Sequence, residues 1–171
     1  MNQSKSLAIG LCNPKSPANV GAVLRAAGCY SVGKIFYTGT RFTMASKYQT
    51  DPQRVSNKVS IDEVDSFIPL KEQYKKLVCI ELVEGAIPLP EFDHPENALY
   101  IFGPEDGSVP QKLVDECDAV VYIPTEGCMN LAATVNVLLY DRLAKQDLDI
   151  DHIEQVRNNR DGNNRLVHRK G

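Results

Sequence analysis

The stretch from Ala98 to Asp141 constrains the chain most. It holds two short apolar runs, Ala98–Phe102 and Ala119–Ile123, each followed at once by a loop of glycine and proline. Apolar runs of about four to eight residues bounded by breakers are the pattern of strands buried on both faces, as in a parallel sheet. The loop after the first run, Gly103-Pro104-Glu105-Asp106-Gly107, sets two glycines around two carboxylates. The loop after the second, Pro124 to Asn130, leads into helical apolar spacing at Leu131, Val135, Leu138 and Leu139. Ligands of open α/β sheets bind beyond the carboxyl ends of the strands, where such loops sit. Glycine there lets backbone approach a ligand with no Cβ in the way. These two loops are the expected site.

The rest of the chain alternates strand and helix patterns around that stretch. Ser6–Cys12 is an apolar run closed by Asn13-Pro14, and a helix over Val20–Cys29 follows, capped by Ser16 or Asn19. Its apolar face is Val20, Val23, Leu24 and Ala27, with Arg25 off that stripe. Lys34–Thr38 and Leu77–Leu82 read as strands, Gln111–Cys117 and Leu131–Lys145 as helices. Val64–Tyr74 reads as a helix broken or kinked at Pro69, and Gly39–Ser60 as a long polar loop with one short helix. The expectation is a doubly wound α/β domain over 1–150 with a mostly parallel sheet of five strands, and a sixth near Val55–Val59. A basic polar tail covers 151–171; from Arg157 to Lys170 it carries Arg157, Arg160, Arg165, Arg169 and Lys170 against one anion, Asp161.

Composition narrows the class. A hydrophobic content of 43% with 24% charged residues suits a soluble globular chain, and no run reaches the roughly 18 apolar residues of a membrane span. The start lacks a signal-peptide pattern, so a cytoplasmic, membrane-free protein is expected. Cys12, Cys29, Cys79, Cys117 and Cys128 are scattered and never spaced as CxxC, so neither a disulfide framework nor a metal site is expected. The net charge of -3 argues against a generic nucleic-acid coat, yet cations cluster at Arg41, Lys47, Arg54 and Lys58, and again in the tail. A dinucleotide enzyme would need GxGxxG after the first strand; Cys12-Asn13-Pro14-Lys15-Ser16-Pro17 is not that. A Cys128 nucleophile would need a base, and His94, His152 and His168 are far from it in sequence.

Three stretches share a pattern: Asn19-Val-Gly-Ala-Val-Leu-Arg25, Phe102-Gly-Pro-Glu105-Asp-Gly107, and Ile123-Pro-Thr-Glu-Gly-Cys-Met129-Asn130-Leu131. In order, and each at a strand-to-helix junction, they resemble motifs 1, 2 and 3 of the SpoU (TrmH-like) branch of the SPOUT RNA methyltransferases. The resemblance spans about Ala8 to Leu143. It implies a Rossmann-like sheet with a C-terminal trefoil knot, a homodimer, and S-adenosylmethionine as methyl donor. It also implies transfer to a ribose 2′-hydroxyl of tRNA or rRNA; the small size without an extra domain favours tRNA. On the matching positions, Glu81, Leu82, Gly103, Ile123, Pro124, Gly127, Cys128, Met129 and Leu131 would hold the donor. Arg25, Glu105, Asn19 and Asn130 would serve catalysis, Glu105 by orienting Arg25 or the RNA. A guanidinium stays charged, so Arg25 is assigned positioning and charge stabilisation ahead of proton removal. Arg25, Arg41, Lys47, Arg54 and Arg165 would contact RNA.

The pairing implied by the family joins the closing helix and the first motif's helix across a two-fold, and is expected to cover apolar residues such as Val135 and Leu138. The chain departs from the family at two serines of motif 3, where it has Cys128 and Ala132. It also has no room for the N-terminal RNA-binding domain of many relatives, so it reads as a minimal member. Each key residue has a plainer role beside the functional one. Arg25 would be a surface residue of an amphipathic helix, Glu105 and Asp106 turn carboxylates, and Asn19 a cap. A catalytically silent RNA-binding protein that keeps the fold is the alternative function.

Overall fold

The computed structural model describes residues 6–48 and 59–169. Strand β1 (Leu7–Cys12) is buried along its whole length and leads into helix α1 (Pro17–Cys29). Ser16 starts that helix: its hydroxyl accepts from the Asn19 amide at 3.3 Å, and Pro17 fills the first position, where a missing N–H costs nothing. There follow β2 (Lys34–Thr38), the short helix α2 (Phe42–Lys47), β3 (Ser60–Glu63) and β4 (Lys76–Ile80). The two-residue β5 (Ile87–Pro88) precedes β6 (Ala98–Phe102), α3 (Gln111–Glu116), β7 (Ala119–Tyr122), α4 (Leu131–Ala144) and α5 (His152–Asn159).

The seven strands form one sheet in the order β3-β2-β1-β6-β4-β7-β5, and every pairing in it is parallel. After β4 the chain runs to the edge strand β5, returns to β6 between β1 and β4, and then fills the place between β4 and β5 with β7. Both faces are covered, and the period-2 alternation assigns side chains to them. From β1, Leu7, Ile9 and Leu11 join Ala98, Tyr100 and Phe102 of β6 beneath α1 and α4. Ala8 and Cys12 join Leu99 and Ile101 on the opposite face, with Phe67, Tyr74 and Leu113. Helix α4 packs its Val135, Leu138 and Leu139 into the first layer, where truncating one such residue to alanine costs about 2–5 kcal/mol.

Four expectations change. Val64–Tyr74 is not a helix; only a 3₁₀ turn forms, Ile68–Glu72. Phe67 and Tyr74 satisfy helical spacing, but each is a separate plug sunk into the second layer, Tyr74 edge-on to Phe36 at 5.9 Å. Among the described residues the sheet has seven strands where five or six are expected, because β3 and β5 are too short and too exposed to show an apolar run. The sixth strand expected near Val55–Val59 falls mostly outside the described residues, and the observed strand there is Ser60–Glu63. Within the expected tail lies α5, capped by Asp151, whose carboxylate accepts from the amides of Ile153 and Glu154 at 2.9 Å. It buries no side chain.

At the amino edge of the sheet a polar network ties α4 to the loop before β6. His94 is 3% exposed in its side chain and bridges the Tyr100 hydroxyl at 2.7 Å and Asp141 at 2.8 Å. Arg142 donates to the carbonyls of Pro95 and Glu96, and Lys145 to those of Leu89 and Phe92. Burial lowers the His94 pKa; Asp141 opposes the shift, while Arg142 and Lys145 add to it. The folded chain therefore keeps His94 neutral at a pH where the unfolded chain protonates it, near 6.5. With more protons on the unfolded state, stability is full above that pH and falls as pH drops through it. Thermal melts from pH 7.5 to 5.5 should show this fall, and a flatter slope in His94→Asn. Parallel curves for the two proteins would contradict it.

Candidate functional site

Three adjacent strands, β6, β4 and β7, end together, and the loops beyond them enclose a cleft of about 320 Å³. Glu81 and Leu82 supply one wall, Gly103 to Glu105 a second, and Ile123 with Gly127 to Leu131 a third. The volume lies at the lower end of the range for small-molecule sites. Its chemistry is mixed. Leu82, 60% exposed, and Met129, Leu131 and Ile123 give apolar surface. Glu81 gives a carboxylate that accepts from the amides of Leu82 and Val109, both at 3.0 Å. Gly103 is tightly placed: a Cβ there would stand 3.1 Å from Glu81 Oε2 and 3.3 Å from Val109, so a side chain would push the two walls apart.

Of the nine residues expected to hold a donor, eight line this cleft; Pro124 does not. Asn19, Glu105 and Asn130 line it as well. Asn130 caps α4, its side-chain oxygen accepting from the Ala133 amide at 2.8 Å, so it fixes the angle at which the third loop meets the helix. Glu105 Oε1 accepts from the Ser16 amide at 3.0 Å and the Asn19 side chain at 3.4 Å, and Oε2 from the Lys15 amide at 3.0 Å. Burial would raise the Glu105 pKa, but these hydrogen bonds outweigh it and leave the group lowered and ionised. The expected contact between Glu105 and Arg25 is not made. The glutamate binds backbone at the start of α1, and Arg25, exposed and about 9 Å further along the helix, does not line the cleft.

Among the expected RNA contacts, Lys47 and Arg165 are exposed and Arg54 lies outside the described residues. Arg41 is engaged by Asp106 and by the carbonyl of Asn13. That pairing holds the Asp106 carboxyl well below the usual carboxylate range, through Arg41 first and Lys15 second. Sequence reading missed Asn13, Lys15 and Ser16, although they sit directly after β1, where the carboxyl-edge rule places ligand loops. It also missed Thr125 and Thr134 on the cleft wall. The apolar pair expected at a dimer contact, Val135 and Leu138, is fully buried within the chain because α4 packs on the sheet. The exposed apolar residues of α4 are Val137 and Tyr140.

A model of the SpoU rRNA Methylase family matches residues 6–140, from β1 through most of α4. The chain belongs to that family. A curated relative, the 23S rRNA (guanosine-2'-O-)-methyltransferase RlmB of Acinetobacter baylyi, is 24% identical over 152 residues, covering 82% of this chain and 60% of the relative. The crystal structure of an AdoMet-bound rRNA methyltransferase from Sinorhizobium meliloti superposes with a TM-score of 0.69 at 19% identity, over 82% of this chain and 57% of that one. The TrmH/SpoU tRNA modifying enzyme of A. aeolicus gives 0.70 at 20% identity, over 82% and 75%. This chain thus spans about 60% of the curated relative's length. The fold expected from the motifs, an α/β sheet of the SPOUT kind, is the fold of these relatives. All three motifs lie inside the matched segment, and two of them, together with Asn19 of the first, form the cleft.

The cap role of Asn130 is directly testable. Asn130→Ala should lose about 1 kcal/mol in urea unfolding, and Asn130→Asp should restore most of it. An alanine variant as stable as the parent would contradict the role.

Proposed function

We propose that the chain transfers a methyl group from S-adenosylmethionine to a ribose 2′-hydroxyl of RNA, with tRNA favoured over rRNA. The observation that carries this is the convergence of motifs 2 and 3 with Asn19 on one cleft at the carboxyl edge of the sheet. The residues present suit the donor. Apolar Leu82, Ile123, Met129 and Leu131 match a flat adenine, and Glu81 matches the positive charge of a sulfonium or ammonium. Family membership also supports the inference that the C-terminal half is tied in a trefoil knot.

When bound, S-adenosylmethionine supplies an electrophilic methyl on sulfur. The chain's part is to hold the walls, exclude water and bring the hydroxyl into line. Asn19 offers a fixed amide at the cleft mouth, oriented by Glu105. Arg25, always charged, is proposed to orient the ribose and its phosphate and to stabilise charge on the oxygen as its proton leaves. Since Arg25 does not line its own cleft, we infer that it serves the cleft of a second chain. Two features support a pair formed through α1 and α4. The exposed stripe of α1 is Ala18, Arg25 and Cys29, small residues around one arginine, and α4 beside it exposes Val137 and Tyr140. Such a contact is isologous.

Among the described residues no helix is long and apolar enough to cross a membrane. A cytoplasmic place, reached by RNA, is part of the proposal.

Arg25→Ala should lose at least ~10-fold in methyl transfer to unmodified tRNA while its donor affinity stays within about twofold. A smaller loss would contradict the placement of the ribose. Sedimentation at micromolar concentration should give twice the mass of one chain, and Tyr140→Glu should halve it. A parent that sediments as a monomer would contradict the pairing. Donor binding without transfer to either tRNA or rRNA would favour the silent RNA-binding reading, with Cys128 and Ala132 as the departures to examine.

A further inference from the structure

One carboxylate joins three loops at the lip of the cleft. Asp106 Oδ2 accepts from Lys15 Nζ at 3.0 Å and from Arg41 Nη1 at 2.8 Å, and Oδ1 accepts from Arg41 Nη2 at 3.0 Å. Lys15 follows β1, Arg41 follows β2 and Asp106 follows β6. The guanidinium does not depend on Asp106 for its orientation. Its Nε donates to the Asn13 carbonyl at 3.0 Å, Nη2 donates to the same oxygen, and the Arg41 amide donates to Asn13 Oδ1 at 3.2 Å. Asn13 adopts φ 40° and Gly39 φ 79°, and a Cβ on Gly39 would lie 2.5 Å from the Asn13 side chain. The backbone of two interlocked loops therefore holds Arg41 so that its outer edge meets Asp106 as a two-pronged donor.

What fills that edge is exposed. The side chains of Lys15, Arg41 and Asp106 are 47%, 33% and 42% accessible, and ion pairs of that kind contribute little. Two cations share the Asp106 carboxylate, and the ionised Glu105 beside it also acts on Arg41, so a phosphate would enter by replacing Asp106 and not by filling a free positive site. Glu105, the next acid, is already taken up by amides at the start of α1. A phosphodiester presents two non-bridging oxygens with the spread of a carboxylate and meets a guanidinium edge in the same bidentate way. The cluster is one residue from the cleft wall. In sequence Arg41 opens the segment 39–60, which carries Arg41, Lys47, Arg54 and Lys58 and a single acidic residue, Asp51.

We propose that Lys15 and Arg41 form the seat of a backbone phosphate of the RNA, with Asp106 as a built-in counter-ion that the phosphate displaces. This rests on the reading of the chain as an RNA methyltransferase. An anion must outcompete Asp106 to enter, so loose phosphates are refused and an RNA anchored elsewhere on the protein is accepted. Asp106 thus tunes specificity and does not merely bind.

The test is RNA affinity as a function of salt, for an unmodified tRNA transcript pool and for fragmented rRNA, in the full chain and three variants. Lys15→Gln and Arg41→Gln should each weaken binding several-fold and flatten the log–log salt slope by roughly 0.7–0.9, the share of one phosphate contact. Asp106→Asn should tighten binding several-fold, with donor affinity and thermal midpoint held near the parent. Weaker RNA binding in Asp106→Asn, or an unchanged slope in both cation variants, would overturn the seat and leave the methyltransferase reading standing. A parent chain that binds neither pool would overturn both.

Discussion

The structure depends on the carboxylate of Glu105. It lies on the loop after β6, yet its partners are the amides of Lys15 and Ser16 and the side chain of Asn19, some 90 residues earlier in the chain. Those groups would otherwise be unpaired donors at the entrance to α1, where a negative charge is also favoured by the helix dipole. One ionised side chain therefore sets the distance between the first motif and the second. It sets the width of the cleft mouth as well. Gly103, two residues before it, leaves little room for a side chain beside Glu81 and Val109.

The other end of the sheet is held by a different device. His94, Tyr100, Asp141 and Arg142 form a buried network with few spare donors or acceptors, which anchors α4 against the loop before β6. Since α4 begins at Asn130 on the cleft and ends at this network, its orientation is fixed at both termini. The fold thus separates rigidity from chemistry: strands and α4 are pinned at the amino edge, and the ligand-facing loops rise from the carboxyl edge. Arg41, Lys15 and Asp106 extend that carboxyl edge outward, carrying charge from the cleft to the surface where RNA would lie.

Much of this was legible in residue order. The apolar runs that became β1, β4 and β6 are buried from both sides, and such strands leave an unbroken hydrophobic signature; β7, half-buried except at Val121, keeps its apolar run too. The two loops singled out first are the loops that line the cleft. Other features were not legible, for definite reasons. β3 and β5 are edge strands with little apolar content. Phe67 and Tyr74 fall seven residues apart, a helical interval, but meet the sheet from a 3₁₀ turn and a loop. Glu105 was expected to orient Arg25 or the RNA; within the chain it holds two backbone amides and the Asn19 side chain, and amide partners carry no letter in a sequence. Arg41 looked like a free cation because its partner Asp106 is 65 residues away. Val135 and Leu138 looked available to a second chain because spacing alone cannot say whether an apolar face meets a sheet or a neighbour.

The central claim is that the cleft between the loops after β4, β6 and β7 takes a methyl donor. Calorimetric titration of the purified chain with S-adenosylmethionine tests it most directly, run beside Gly103→Val, which crowds Glu81 and Val109 at the wall. The account predicts saturable binding of one donor per chain in the parent and at least a tenfold weaker affinity in the variant. No saturable heat in the parent, or equal affinity in both proteins, would contradict it.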